Sequence, residues 1–115
     1  MKHELAPDAN RMDIDGLRSS AEQAGRLLKA LANPARLLLM CQLAQGEMRV
    51  SELEGLVGIT QPTLSQQLGV LRDEGLVGTR REGKSIFYRI DSPQALAVMA
   101  VLYEQFCRPA DRKKP

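Results

Sequence analysis

The sequence has little to do chemistry with. Its 115 residues hold one histidine, two cysteines, two tyrosines, two phenylalanines and no tryptophan. Two cysteines cannot build a disulfide-rich scaffold, which needs at least four. One histidine and two cysteines fall short of the ligands a Cys/His zinc site requires within a chain. The histidine is His3, in a polar leading segment, so a Ser-His-Asp or Cys-His machine would have to recruit it from there. No Cys-x-x-Cys pair is present, which argues against a small thiol enzyme or sulfur carrier. No cofactor is expected.

No apolar stretch approaches the 18 or so residues of a membrane span. Residues 1–16 carry charges throughout and no apolar signal region, so a cytoplasmic protein is expected. Cysteines there are normally kept as thiols. At 43% hydrophobic and 26% charged, the chain has the material for one aliphatic-cored domain.

Charge is nearly balanced, at +2, but unevenly placed. Residues 1–60 hold seven Lys/Arg against eight Asp/Glu, whereas 61–115 hold nine against six. Within 80–89 stand Arg80, Arg81, Lys84 and Arg89 against Glu82 alone. Such a basic spot suits phosphates, or equally a solvated, aggregation-resistant strand edge.

Punctuation divides the chain into a lead over 1–15, a domain over 16–107 and a charged, Pro-bounded tail over 108–115. A first helix is expected from about Leu17 to Leu31, with Ala21, Ala24, Leu27, Leu28 and Leu31 on one face. Asn33-Pro34 caps and opens a second, apolar almost all round, that ends before Gly46 and belongs at the centre. Ser51 and Glu54 suggest a capping box for a short third helix ending near Gly58. Thr60 is the expected cap of a fourth that stops at Gly75, with Leu64, Leu68 and Leu71 as its core stripe. Two extended runs, 76–81 and 85–90, form a hairpin around Gly83, and Ser92-Pro93 opens a fifth helix to about Cys107.

A short helix, a tight turn and a second helix make a helix-turn-helix. The second helix carries no charge between residues 60 and 71. Its open face offers Pro62, Ser65, Gln66 and Gly69, flanked by Gln61, Thr63 and Arg72, where most solvated faces are rich in Lys and Glu. Glutamine can pair bidentately with adenine, hydroxyls can meet bases or phosphates, and glycine permits close approach. Gln61, Thr63, Ser65, Gln66 and Arg72 are therefore the candidate DNA-reading residues, with Arg80, Arg81 and Lys84 of the hairpin as candidate backbone contacts.

With these pieces in place, residues 28–90 resemble the winged helix-turn-helix repressors of the ArsR/SmtB family. The resemblance rests on LANPARLLLM, VSEL, QPTLSQQLGVLRDEGLV and the wing REGKSIFYRI. It implies a mainly α (α+β) winged helix-turn-helix of about five helices with a two-stranded β-hairpin wing, and no enzyme. It also implies a homodimer joined through the first and last helices, bound to an inverted-repeat double-stranded DNA operator. The stripe Leu96, Ala100, Tyr103, Cys107 would then be a partner-facing seam.

Two metal patterns common in that family are not matched. Where one has Cys-x-Cys, this chain has Glu47, Met48, Arg49, Val50 and Ser51; on the last helix, Asp91 is followed by no histidine through 107. Cys41 on the second helix and Cys107 at the end of the fifth read, by composition, as small buried hydrophobes. The resemblance points elsewhere. BigR-like and SqrR-like members lack both metal sites and keep one cysteine in each of these helices. For them, reactive sulfur species or oxidants form a disulfide or polysulfide bridge that weakens DNA binding. Carried over, Cys41 and Cys107 are redox-sensing residues. A metal-responsive or ligand-blind regulator, or a HlyU-like anti-repressor, stays open beside this reading.

Overall fold

The computed structural model describes residues 13–107. Five helices and a small sheet follow in the order α1 (Ile14–Leu31), α2 (Pro34–Leu43), β1 (Met48–Arg49), α3 (Val50–Val57), α4 (Thr63–Asp73), β2 (Val77–Glu82), β3 (Ser85–Ile90) and α5 (Pro93–Leu102). A π-helical turn, Tyr103–Cys107, continues α5. The tail over 108–115 and residues 1–12 of the expected lead lie outside the described residues.

The second helix starts where its sequence says it should. Asn33 Oδ1 accepts from the Arg36 backbone N–H, and Pro34 occupies the first turn, where its missing N–H costs nothing. Ser92 and Pro93 repeat the device at α5, with Ser92 Oγ accepting from Ala95 N–H. Helix α2 packs against α1, α3, α4 and β3, and buries Leu39, Met40 and Leu43. Around it gather Leu31, Leu53, Leu64, Leu68, Leu71, Ala95 and Met99, an aliphatic core without a buried aromatic.

Four local expectations need correction. The wing is not a two-stranded hairpin alone, because β1 pairs antiparallel with β3 (Met48 with Tyr88, Arg49 with Phe87) and gives the sheet order β1-β3-β2. That pairing holds the chain extended through Arg49, so α3 begins at Val50. Its first turn is capped by Glu52, whose carboxylate accepts from Arg49 N–H at 2.8 Å, in place of a box between Ser51 and Glu54. Thr60 does not cap α4 with its side chain: the helix starts at Thr63, and Gln61 does that work. The first helix begins inside the expected lead, because Asp13 accepts from Gly16 N–H at 2.7 Å.

Helix α1 stands off the body. Along its apolar stripe, Leu31 is buried and Leu27 half-buried, while Ala21, Ala24 and Leu28 are exposed. An open cleft of about 560 Å³ separates α1 from the α4–β2 turn and the start of α5, spanned by Arg26 and Glu74 at 3.5 Å. The radius of gyration is 17.1 Å, against about 13 Å for a self-contained domain of this length.

Candidate nucleic-acid interface and cysteine pair

Helix α4 is set by punctuation at both ends and by one stripe between them. Gly58 adopts φ +71° and closes α3 by donating to Glu54 O, a left-handed turn that suits glycine. At the far end Gly75 donates to Arg72 O and Leu76 to Leu71 O, the paired bonds of a Schellman cap, with Gly75 at φ +77°. Leu64, Leu68 and Leu71 are fully buried beneath the helix. Thr63, Ser65, Gln66 and Arg72 are consequently exposed, with Gly69 half-exposed among them.

These residues are not equally free to meet DNA. Gln61 Oε1 accepts from Ser65 N–H at 3.1 Å and from Ser65 Oγ at 2.6 Å, so both act first as the cap of α4. The Gln61 amide N–H groups remain as donors. Thr63 and Gln66 stand on the open face.

The wing divides its basic residues in the same way. The Arg80 guanidinium carbon stands over the Phe87 ring, 4.4 Å from its centroid, opposite it across the β2–β3 ladder. Its Nε and Nη2 donate to the Glu47 carboxylate at 2.8 to 2.9 Å, and Nη1 donates to Glu82 at 3.2 Å. The hydrogen bonds from Arg80 hold the Glu47 carboxyl below the usual carboxylate range. Arg80 thus fastens the wing to the loop ahead of β1. Arg81 points to the other face of the ladder, opposite Ile86, and is exposed, as is Lys84 at the turn. An open cleft of about 290 Å³ between the start of α3 and the wing is lined by Arg49, Ser51, Lys84 and Ser85. Neither Glu47 nor Arg49 was singled out by the sequence: Glu47 meets Arg80 across 33 residues, and Arg49 nears Lys84 only once β1 pairs with β3.

The two cysteines are thiols, each half-buried, on α2 and on the last turn after α5. Burial, and secondarily the charge of Cys107, push the Cys41 thiol above its ordinary value. The two thiols are 66 residues apart in sequence, one on α2 and one on the turn after α5. At Tyr103 the winding changes from α to π, which re-aims the turn carrying Cys107. Beyond Cys107, the expected seam is exposed at Leu96, Ala100 and Tyr103, and Val101 and Phe106 are also exposed, Phe106 by 74%. Among the described residues no group of three or more His, Cys, Asp or Glu is placed to hold a metal ion, and no helix is long and apolar enough to cross a membrane.

Comparison with known proteins places this geometry. Residues 33–79 match the model of the bacterial regulatory protein, arsR family. The chain is 50% identical over 104 residues to the biofilm growth-associated repressor of Agrobacterium fabrum, covering 90% of this chain and 89% of that one. The crystal structure of the transcriptional repressor BigR from Xylella fastidiosa superposes with a TM-score of 0.76 at 48% identity, covering 84% of this chain and 99% of that one. The solved structure of reduced HlyU from Vibrio cholerae superposes with a TM-score of 0.78 at 37% identity, covering 80% of this chain and 97% of that one. With its winged helix-turn-helix and relatives that are transcriptional regulators and not enzymes, the chain belongs to the arsR family of bacterial regulatory proteins.

Proposed function

We propose that this chain is a homodimeric, cytoplasmic DNA-binding repressor that leaves an inverted-repeat operator when sulfur bridges Cys41 and Cys107. What supports the reading is the placement of one half-buried thiol on α2, the helix against which the α4 reader packs, and of the other on the turn after α5. The exposed apolar residues of α1 and of α5 with its last turn support the dimer: Ile14, Leu17 and Leu28 on one, Leu96, Val101, Tyr103 and Phe106 on the other. Faces of this size on isolated helices are normally covered. In the dimer, Thr63, Gln66, Arg72 and the donor side of Gln61 read the groove, Ser65 supports Gln61, and Arg81 and Lys84 take phosphates. Arg80 holds the wing in place for them. A two-fold dimer reads half-sites about 10 base pairs apart or a multiple of that.

The sensing chemistry needs two steps with a persulfide, R–S–SH. Burial disfavours the Cys41 thiolate, so the proposal gives Cys41 the second step and begins at Cys107. The Cys107 thiolate takes the outer sulfur, giving Cys107–S–SH and releasing RS⁻, which picks up a proton. Cys41, after giving its proton to water, attacks the Cys107 sulfur and expels HS⁻, leaving Cys41–S–S–Cys107. The persulfide is reduced to a thiol and hydrogen sulfide while the two cysteines are oxidised. Transfer of further sulfur before closure gives a polysulfide bridge. Either bridge ties α2 to the end of α5, and a differential of about 1–3 kcal/mol between dimer geometries is enough for a 5–150-fold loss of affinity.

The test uses duplexes selected from random sequence by the reduced protein. Affinity is measured for reduced and glutathione-persulfide-treated wild type and Cys41→Ser. A loss on treatment in the wild type, absent in Cys41→Ser, is expected; equal affinity in every state overturns the sensing claim. A second reading, an anti-repressor that displaces another protein from DNA, draws on the likeness to HlyU and predicts activation in place of repression in a reporter.

A further inference from the structure

Arg36 ties three helices together by hydrogen bonds. Its backbone N–H belongs to the cap of α2, donating to Asn33 Oδ1 at 3.1 Å. Its guanidinium leaves α2 in two directions. Nε donates to Ala30 O at 2.6 Å and Nη2 to Lys29 O at 3.5 Å, both carbonyls of the last turn of α1. Nη1 donates to Gln67 Oε1 of α4 at 2.9 Å. Arg36 and Gln67 are both half-buried. Among the described residues no carboxylate stands within ion-pair distance of Arg36. Its charge is met instead by the negative end of α1, where the last carbonyls and the helix dipole favour a cation.

We infer that the Arg36–Gln67 hydrogen bond positions the reading helix, fixing the roll of α4 against α1 and α2 and carrying a shift of α2 to the DNA-reading face. The inference deepens the proposed function and rests on its reading of α4 as the DNA reader. Burial of Leu64, Leu68 and Leu71 sets how close α4 lies to the core, but hydrophobic contact has no direction and tolerates rotation. A charge-assisted hydrogen bond has direction. Gln67 sits on the flank of α4, between the leucine stripe and the open face of Thr63 and Gln66, where a fixed point resists rotation. Its other end is on α2, five residues before Cys41. A ten-residue helix is about 15 Å of stiff rod, so what moves Cys41 moves Arg36. The same guanidinium grips α1, the helix with the exposed dimer-forming face. Arg36 and Gln67 are thus positioning residues, acting on DNA through the orientation of Thr63 and Gln66.

A double-mutant cycle tests this on the full-length protein with the selected duplex. Gln67→Met keeps the side-chain length and removes the acceptor; Arg36→Lys keeps the charge and removes the fork; Gln67→Glu keeps an acceptor. Loss of one charge-assisted bond predicts about a tenfold drop in reduced-state affinity for Gln67→Met and for Arg36→Lys. The double variant is expected to lose no more than either single, and Gln67→Glu to retain affinity. The ratio of reduced to bridged affinity falls toward one in Gln67→Met, which a merely structural role would not produce. Losses that add in the double variant, as for a glutamine touching DNA itself, overturn the inference. Should Arg36→Lys fail to fold, equal affinities for Gln67→Met and Gln67→Glu overturn it as well. A wild type that binds the duplex equally when reduced and bridged removes the sensor and leaves the cycle readable. A wild type without duplex affinity removes the reader and this inference with it.

Discussion

Replacing Arg80 and Arg81 separately by alanine sorts two adjacent wing arginines whose roles the fold divides. Arg81 is exposed opposite Ile86, whereas Arg80 is held by Glu47, Glu82 and the Phe87 ring. Each phosphate neutralised contributes about 0.9 to the slope of log affinity against log salt. A dimer carries two wings, so Arg81→Ala removes about 1.8 from that slope. Between 50 and 200 mM salt the wild type then loses about twelvefold more affinity than Arg81→Ala does. Arg80→Ala, whose guanidinium already faces two carboxylates, is expected to change the slope by well under one unit. Fluorescence anisotropy on the selected duplex across a salt series measures both, with Arg80→Lys and Glu47→Gln reporting the loss of the wing clamp alone. Equal slope changes for Arg80→Ala and Arg81→Ala would refute the division, as would an Arg81→Ala slope indistinguishable from wild type.

Other outcomes follow from the same packing. Leu68→Ala empties a position only 1% exposed at the middle of α4 and should cost about 2–5 kcal/mol in urea denaturation. A bridge between Cys41 and Cys107 closes a long loop and should raise unfolding free energy by about 4 kcal/mol while DNA affinity falls, separating release from unfolding. A bridged protein that melts earlier than the reduced one would contradict that. The Cys41 thiol is raised by burial, so iodoacetamide labelling of Cys41 in Cys107→Ser should reach half its limiting rate above the usual thiol value of about 8.5. The sign for stability is the same: a raised value favours folding while the thiol is protonated, and that contribution fades as pH climbs through the raised value.

The parts of this fold written in neighbouring residues could be read from them. Asn33-Pro34 and Ser92-Pro93 cap α2 and α5 in the structure as their chemistry suggests, and Gly75 ends α4. The stripe Leu64, Leu68, Leu71 is buried because a helix of period 3.6 aligns those positions whatever surrounds it. What escaped was set by distant partners. Strand β1 is two residues long and exists only because β3 pairs with it, and that pairing moved the start of α3 ahead of Ser51. The α1 stripe reads as one apolar face, yet which of its residues meet the core depends on distant packing, and Leu28 is 58% exposed. Arg80 reads from the sequence as a phosphate contact, and the structure sets Glu47, 33 residues away, against it; nothing near Arg36 in sequence announces Gln67. The reading of Cys41 and Cys107 as a pair comes only from the family resemblance, since composition treats both thiols as filler.

The central claim links the chemical state of two atoms to DNA occupancy, and one measurement reads both together. Reduced protein on immobilised selected duplex is exposed to a sub-saturating amount of glutathione persulfide, and the released and retained fractions are alkylated and mapped under non-reducing conditions. The account predicts a Cys41–Cys107 cross-linked peptide pair within one chain in the released fraction, and alkylated free cysteines in the retained one. Released protein with both thiols free, or retained protein with the bridge in place, would contradict it.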